Sequence, residues 1–162
     1  MNDFYTEQLV KRKATGTTVL AKAGLVILTA ASFILVMHIP FAIIVPLLLI
    51  ALDVYLFRNM DVEYEYLFVN GELDIDKIMA KSRRKRVFST DVSELELLAP
   101  SESSELRLIK ADKTHNYSTG VAGHKTYDLI VIQKGQKIKI IFEPNETILK
   151  GFKTLDPRKV II

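Results

Sequence analysis

Cysteine is absent from the 162-residue chain, which excludes a disulfide framework, a thiolate metal site and a cysteine nucleophile, and fits a reducing compartment. A large charge excess is absent too. The formal charge is +3 and the isoelectric point is near 9.0, which suits a neighbour of an anionic membrane and is too weak to point to nucleic acid. Histidine is scarce, and His38, His115 and His124 follow no zinc-ligand spacing, so no metal and no cofactor is expected. Most telling is a local absence. Charged residues make up 25% of the chain, yet Ala23 to Leu52 contains no Asp, Glu, Lys or Arg.

That block decides the membrane question. Extended to Phe57 as one straight helix it would measure roughly 52 Å, against a hydrocarbon layer of about 30 Å. Observed tilts of about 0° to 40° do not accommodate that length, so the sequence predicts two spans broken at Met37-His38-Ile39-Pro40. The expected helices run from about 17 to 37 and from about 40 to 57, a transmembrane hairpin over residues 17–57. Pro46 is tolerated within the second span. Lys22 should reach back to the headgroups, and Asp53 and Tyr55 should sit similarly near the other interface. Lys11, Arg12, Lys13 and Lys22 precede the hairpin and Arg58 follows it, whereas the turn holds no lysine or arginine. Both termini are therefore expected in the cytoplasm, in a two-span protein of the cell membrane. Residues 1–16 are expected to be a cytoplasmic segment, with Phe4, Tyr5, Leu9 and Val10 forming the apolar edge of a short interfacial helix, or a frayed tail.

Beyond Arg58 the pattern becomes alternating. Tyr64-Glu65-Tyr66-Leu67-Phe68-Val69 and Glu72-Leu73-Asp74-Ile75-Asp76 flank Asn70-Gly71, the signal of a two-residue hairpin. Pairing Val69 with Glu72 sends Tyr66, Phe68, Leu73 and Ile75 to one face, and Glu63, Glu65, Asp74 and Asp76 to the other. Further strands are expected around Val87-Phe88, over Glu94 to Leu98, from Tyr127 to Ile132, and from Lys137 to Phe142 with its lysines outward. Leu106 to Ile109 and His115 to Ser118 are candidate short strands. Pro144-Asn145-Glu146 should open a helix bearing Ile148, Leu149, Phe152 and Leu155 on one stripe, ended by Asp156-Pro157.

Candidate sites are few. The run Lys81, Arg83, Arg84, Lys85 and Arg86 is the one segment with enough charge density to suggest a ligand or partner. On a strand these residues alternate between faces, so the competing role is to neutralise Glu63, Glu65, Asp74 and Asp76. His115 and His124 with Asp112 or Asp128 make a weak acid-base or metal set, and Gly120 to Gly123 reads as turn glycines. Nothing resembles a catalytic constellation, and a non-enzymatic chain is expected.

The order of elements, with Tyr64-Glu65-Tyr66, Asn70-Gly71-Glu72-Leu73-Asp74-Ile75-Asp76, Arg86-Val87, Phe142-Glu143-Pro144-Asn145-Glu146 and Pro157-Arg158-Lys159-Val160, resembles a group of small bacterial membrane proteins. That group, a domain-of-unknown-function family, places a bacterial pleckstrin-homology-like domain after a transmembrane hairpin. The resemblance covers nearly the whole chain and implies fold and location, without catalytic residues. The expected fold class is α+β: a transmembrane hairpin, then a partly open PH-like β-barrel with a C-terminal helix over residues 58–162. The expected function is a membrane-anchored interaction module, integral to the lipid bilayer. Its partner would be a membrane or cytoplasmic protein or anionic lipid headgroups, and no nucleic acid. The alternative is an accessory subunit of a larger membrane assembly, such as a transporter or envelope-stress complex.

Overall fold

The structure, a computed structural model, describes residues 5–162. It consists of two compact units, one built on two long apolar helices together with the turn at residues 79–83, the other on two four-stranded sheets with a helix.

In the first unit, α1 (Gly16–His38) starts at Thr15, whose hydroxyl accepts the Thr18 N–H at 3.4 Å, and ends at Ile39. The break falls where Pro40 forbids continuation. A 3-10 turn (Pro40–Ile43) leads into α2 (Ile44–Met60). The apolar stretches are 23 and 20 residues long, or about 35 and 30 Å, so both are long enough to cross a bilayer. Three of the four most buried residues of the pair are polar. Thr29, Ser32, Pro46 and Asp53 are buried, while Leu, Ile, Val and Phe side chains point outward along both helices. The Thr29 hydroxyl donates to Asp53 Oδ2 at 2.6 Å, and the Ser32 hydroxyl donates to the Thr29 carbonyl. A helix pair with an apolar exterior and polar contacts inside suits a lipid solvent, where small residues and hydrogen bonds join helices. Asp53 is buried between the helices, where the Thr29 hydroxyl gives its carboxylate a partner.

The second unit begins before the helices. Residues Tyr5–Lys11 form strand β1, where an interfacial helix or frayed tail was expected; Phe4 of that expected apolar edge lies outside the described residues. The reason is pairing. β1 runs antiparallel to β2 (Val62–Val69), from Tyr5 opposite Val69 to Lys11 opposite Glu63, and Val10 is buried. Backbone hydrogen bonds to an existing strand outweigh the weak amphipathicity of a seven-residue segment. β3 (Glu72–Met79) and β4 (Arg83–Asp91) complete a sheet of order β1-β2-β3-β4. The β2–β3 hairpin turns at Asn70 (φ 49°) and Gly71 (φ 103°), the positive-φ pair that Asn-Gly provides.

The other sheet has the order β5-β7-β8-β6. It comprises β5 (Leu95–Pro100), β6 (Lys113–Asn116), β7 (Tyr127–Gln133) and β8 (Gln136–Phe142). β7 and β8 form the expected hairpin through Lys134-Gly135, and β6 lies parallel to β8. The Leu106 to Ile109 segment is not a strand. Ser104–Leu108 forms a 3-10 turn whose Leu106 packs on Ala99 and Ile130, covering the face of the sheet turned away from the main core. Lys137 and Lys139 consequently do not point freely outward. Lys137 pairs with Glu96 at 2.7 Å, and Lys139 pairs with Asp128, which is fully buried and also accepts the Ser101 hydroxyl at 2.6 Å.

Between the sheets lie fully buried Tyr66, Phe68, Leu73, Ile75, Leu129, Val131, Ile140 and Phe142. The rings of Tyr66 and Phe142 meet edge-on at 5.6 Å, and the Tyr66 hydroxyl donates to the Tyr117 carbonyl at 2.6 Å, which satisfies its one polar atom inside the core. The helix α3 (Glu146–Leu155) is capped by Asn145, whose side chain accepts the Ile148 N–H at 2.9 Å. Ile148, Leu149 and Phe152 are buried as expected, but Leu155 is 44% exposed. Gly151 permits the close approach of α3, since a Cβ there would lie 2.3 Å from the Phe68 ring. The architecture is α+β with two open, packed sheets and a C-terminal helix, the PH-like arrangement.

Candidate functional site

The basic run divides into residues with partners and residues without. Alternation along β4 directs Arg84 and Arg86 to the acidic face of the first sheet. Arg84 pairs with Glu65 at 2.8 Å. Arg86 bridges two carboxylates, Asp74 at 2.6 Å and Asp76 at 3.0 Å, and its hydrogen bond to Asp76 holds the guanidinium above its ordinary pKa. Asp74 and Asp76 are themselves buried, which makes the bridge more consequential than an exposed ion pair. Both carboxylates face an arginine from a neighbouring strand.

Lys81 and Lys85 are exposed and have no ionic partner among the described residues. Lys81 occupies the turn between β3 and β4, where Ala80 (φ 53°) and Lys81 (φ 56°) both adopt left-handed backbone that β-carbons disfavour. The turn is held by its backbone. Ser82 N–H donates to the Met79 carbonyl at 3.2 Å, and Ala80 N–H donates to the Asp61 carbonyl, just past the end of α2, at 3.3 Å. Arg83, the first residue of β4, lines a cleft of about 310 Å³ together with Arg58 of α2. No local pattern associates these two arginines, which are 25 positions apart in the chain; Arg58 was expected only as a topology anchor.

The remaining expected anchors have structural partners or places. Lys11 ends β1 opposite Glu63, Arg12 donates to the Tyr64 hydroxyl at 2.8 Å, and Lys13 N–H donates to the Thr119 carbonyl at 2.7 Å. Lys22 lies over the Phe57 ring, 5.5 Å from its centroid, on the helix pair.

The histidines do not converge. His115 stacks on Tyr117, whereas His124 lies 3.2 Å from Glu143, which also accepts Thr119 N–H and its hydroxyl. Asp112 accepts the Lys137 N–H at 2.8 Å, away from Asp128 and its Lys139 partner. Among the described residues no three His, Cys, Asp or Glu side chains gather as metal ligands. Gly120 and Gly123 take positive φ in the loop before β7, as turn glycines do.

In comparisons with known proteins, the family described as bacterial PH-like domain (DUF6106) matches residues 2–162. No curated protein and no solved structure matches the chain.

Proposed function

Because the chain belongs to the bacterial PH-like domain family, we propose that it is a membrane-anchored, non-enzymatic interaction module at the cytoplasmic face, which binds a protein partner or anionic phospholipid. One observation carries this reading. The two spanning-length helices are inserted between β1 and β2, neighbouring strands of one sheet. An insertion that leaves and rejoins the same sheet must cross a bilayer an even number of times, which supports an anchor with the folded unit on one side. The positive residues flanking the helices favour the cytoplasmic side.

The second reading, an accessory subunit of a larger membrane assembly, draws on α1. Ser32 is used inside the helix pair, but Ala30 and Ala31 are exposed and would admit another helix closely. Photo-crosslinkers placed at Lys81 and Lys85, and separately at Ala30 and Ala31, separate the two in native membranes. The module reading expects a discrete adduct from the first pair, either protein or lipid. Adducts to membrane proteins from the second pair alone, abolished by Ala30→Leu with Ala31→Leu, would replace it with the assembly reading.

A further inference from the structure

We propose that the cleft at the end of α2 is a binding site for the phosphate group of an anionic glycerophospholipid, held between Arg58 and Arg83. This rests on the membrane-anchored reading and specifies a ligand and a site for it.

The cleft is built from both ends of a chemical gradient. Ala51, Val54, Tyr55 and Arg58 recur at helical spacing and form one stripe along the last turns of α2. From Ala51 to Arg58 the stripe rises about 10 Å, from small and aliphatic side chains to a guanidinium. The opposite wall is the β3–β4 turn, which contributes Ser82 and Arg83. The Ala80 to Asp61 backbone hydrogen bond ties that turn to the helix end, so the second arginine is presented by a turn joined to α2. The result is an apolar floor beneath a rim of two guanidinium groups and a hydroxyl.

Charge complementarity selects the occupant. Arg58 and Arg83 are both exposed and have no anionic partner among the described residues, in contrast to Arg84 and Arg86. Arg58 in the last turn also offsets the partial negative charge at the carboxyl end of α2, which accounts for Arg58 but not for Arg83. Two guanidinium groups supply several planar donors, a geometry suited to phosphate oxygens. The floor discriminates further. A soluble phosphate ester gains nothing from Ala51 and Val54, whereas a glycerophospholipid lays the start of an acyl chain on them while its phosphate reaches the rim. The volume of about 310 Å³ fits a phosphoglycerol headgroup, with the chains leaving along the helix.

The test uses the full chain purified in mild detergent and native mass spectrometry. Phosphatidylglycerol is titrated against the wild type, Arg83→Gln, and Arg58→Gln with Arg83→Gln. Lys110→Gln with Lys134→Gln is the charge-matched control, since both lysines are exposed and lie outside the cleft. The wild type and control should retain one phosphatidylglycerol in preference to phosphatidylcholine. Each lost arginine should weaken retention about tenfold, the scale of one charge-assisted hydrogen bond. Inorganic phosphate and glycerol phosphate at equal concentration should not displace the lipid; displacement by either would show a site for a free phosphate and overturn the lipid assignment. Equal retention by all variants, or no preference over phosphatidylcholine, would overturn the proposal. Arg83→Gln removes an exposed side chain without a partner, so it isolates binding from folding even if the double variant is unstable. Carbonate extraction separates the two levels: a chain released into the soluble fraction refutes the anchored reading, and a chain retained in membranes without bound lipid refutes the site alone.

Discussion

Arg12 donates a hydrogen bond of 2.8 Å to the Tyr64 hydroxyl, across a separation of 52 positions that contains both apolar helices. Next to it, Val10 lies opposite Tyr64 in the β1–β2 ladder. The residues entering the helix pair and those leaving it thus belong to one folded unit, and topology follows. The chain has no cysteine, so single cysteines report their side without background. Met37→Cys, 85% exposed at the helix turn, should react with a membrane-impermeant maleimide in intact spheroplasts. Lys134→Cys, in the β7–β8 turn, should react only after permeabilisation. The reverse pattern would invert the orientation, and labelling of both in intact cells would remove the membrane reading.

The same pairing sets what a soluble fragment must contain. Residues 62–162 alone leave the β2 edge unpaired and lose the Gln8 side-chain bonds to Glu143 and Asn145. Exposed edges invite association. Expressed without detergent, that fragment should aggregate or run as oligomers in size-exclusion chromatography. Joining residues 1–13 to residue 62 through a flexible linker should restore a monomer, and a monomeric, cooperatively unfolding 62–162 fragment would show that β1 is dispensable.

Glutamine substitutions along the basic run should have unequal effects on thermal or urea unfolding. Arg84→Gln, which removes an exposed pair, should cost about 0.2–1 kcal/mol. Arg86→Gln leaves buried Asp74 and Asp76, side by side on one face of β3, without their counter-ion; discounted for the half-exposed guanidinium, about 1–2 kcal/mol is expected. Lys81→Gln and Lys85→Gln should remain within about 0.5 kcal/mol of the parent. Equal losses at all four positions would mean that the run acts only through net charge.

Gly151→Ala reverses the usual effect of replacing a helical glycine. An exposed site would gain roughly 1 kcal/mol of helix propensity. Here the new Cβ meets the buried Phe68 ring at 2.3 Å, so a net loss of about 1–3 kcal/mol in urea unfolding is expected. Gly151→Ala with Phe68→Leu should recover part of that loss relative to Phe68→Leu alone. Stabilisation by Gly151→Ala would mean that α3 stands further from the sheet.

Features that depend on local pattern were legible in the chain's residues. The apolar block and Pro40 set two helices and their break, Asn70-Gly71 set a two-residue turn, and Pro144-Asn145-Glu146 set the start of α3, because length, φ preference and capping act over a few residues. The rest depends on contacts between distant elements. Tyr5–Lys11 became a strand because β2 offers it a ladder after both helices have intervened. Asp53 turned inward because Thr29 on the other helix meets it, and Leu106 left the strand pattern to cover Ala99 and Ile130. The cleft illustrates the limit most directly. Arg58 and Arg83 are adjacent to other charges in sequence and carry no local sign of a shared role; the backbone bond from Ala80 to Asp61 brings their elements together. Periodicity encodes which way a side chain faces along its own helix or strand, whereas a partner on a distant element is fixed only when backbone pairing and core burial have set the distances between elements.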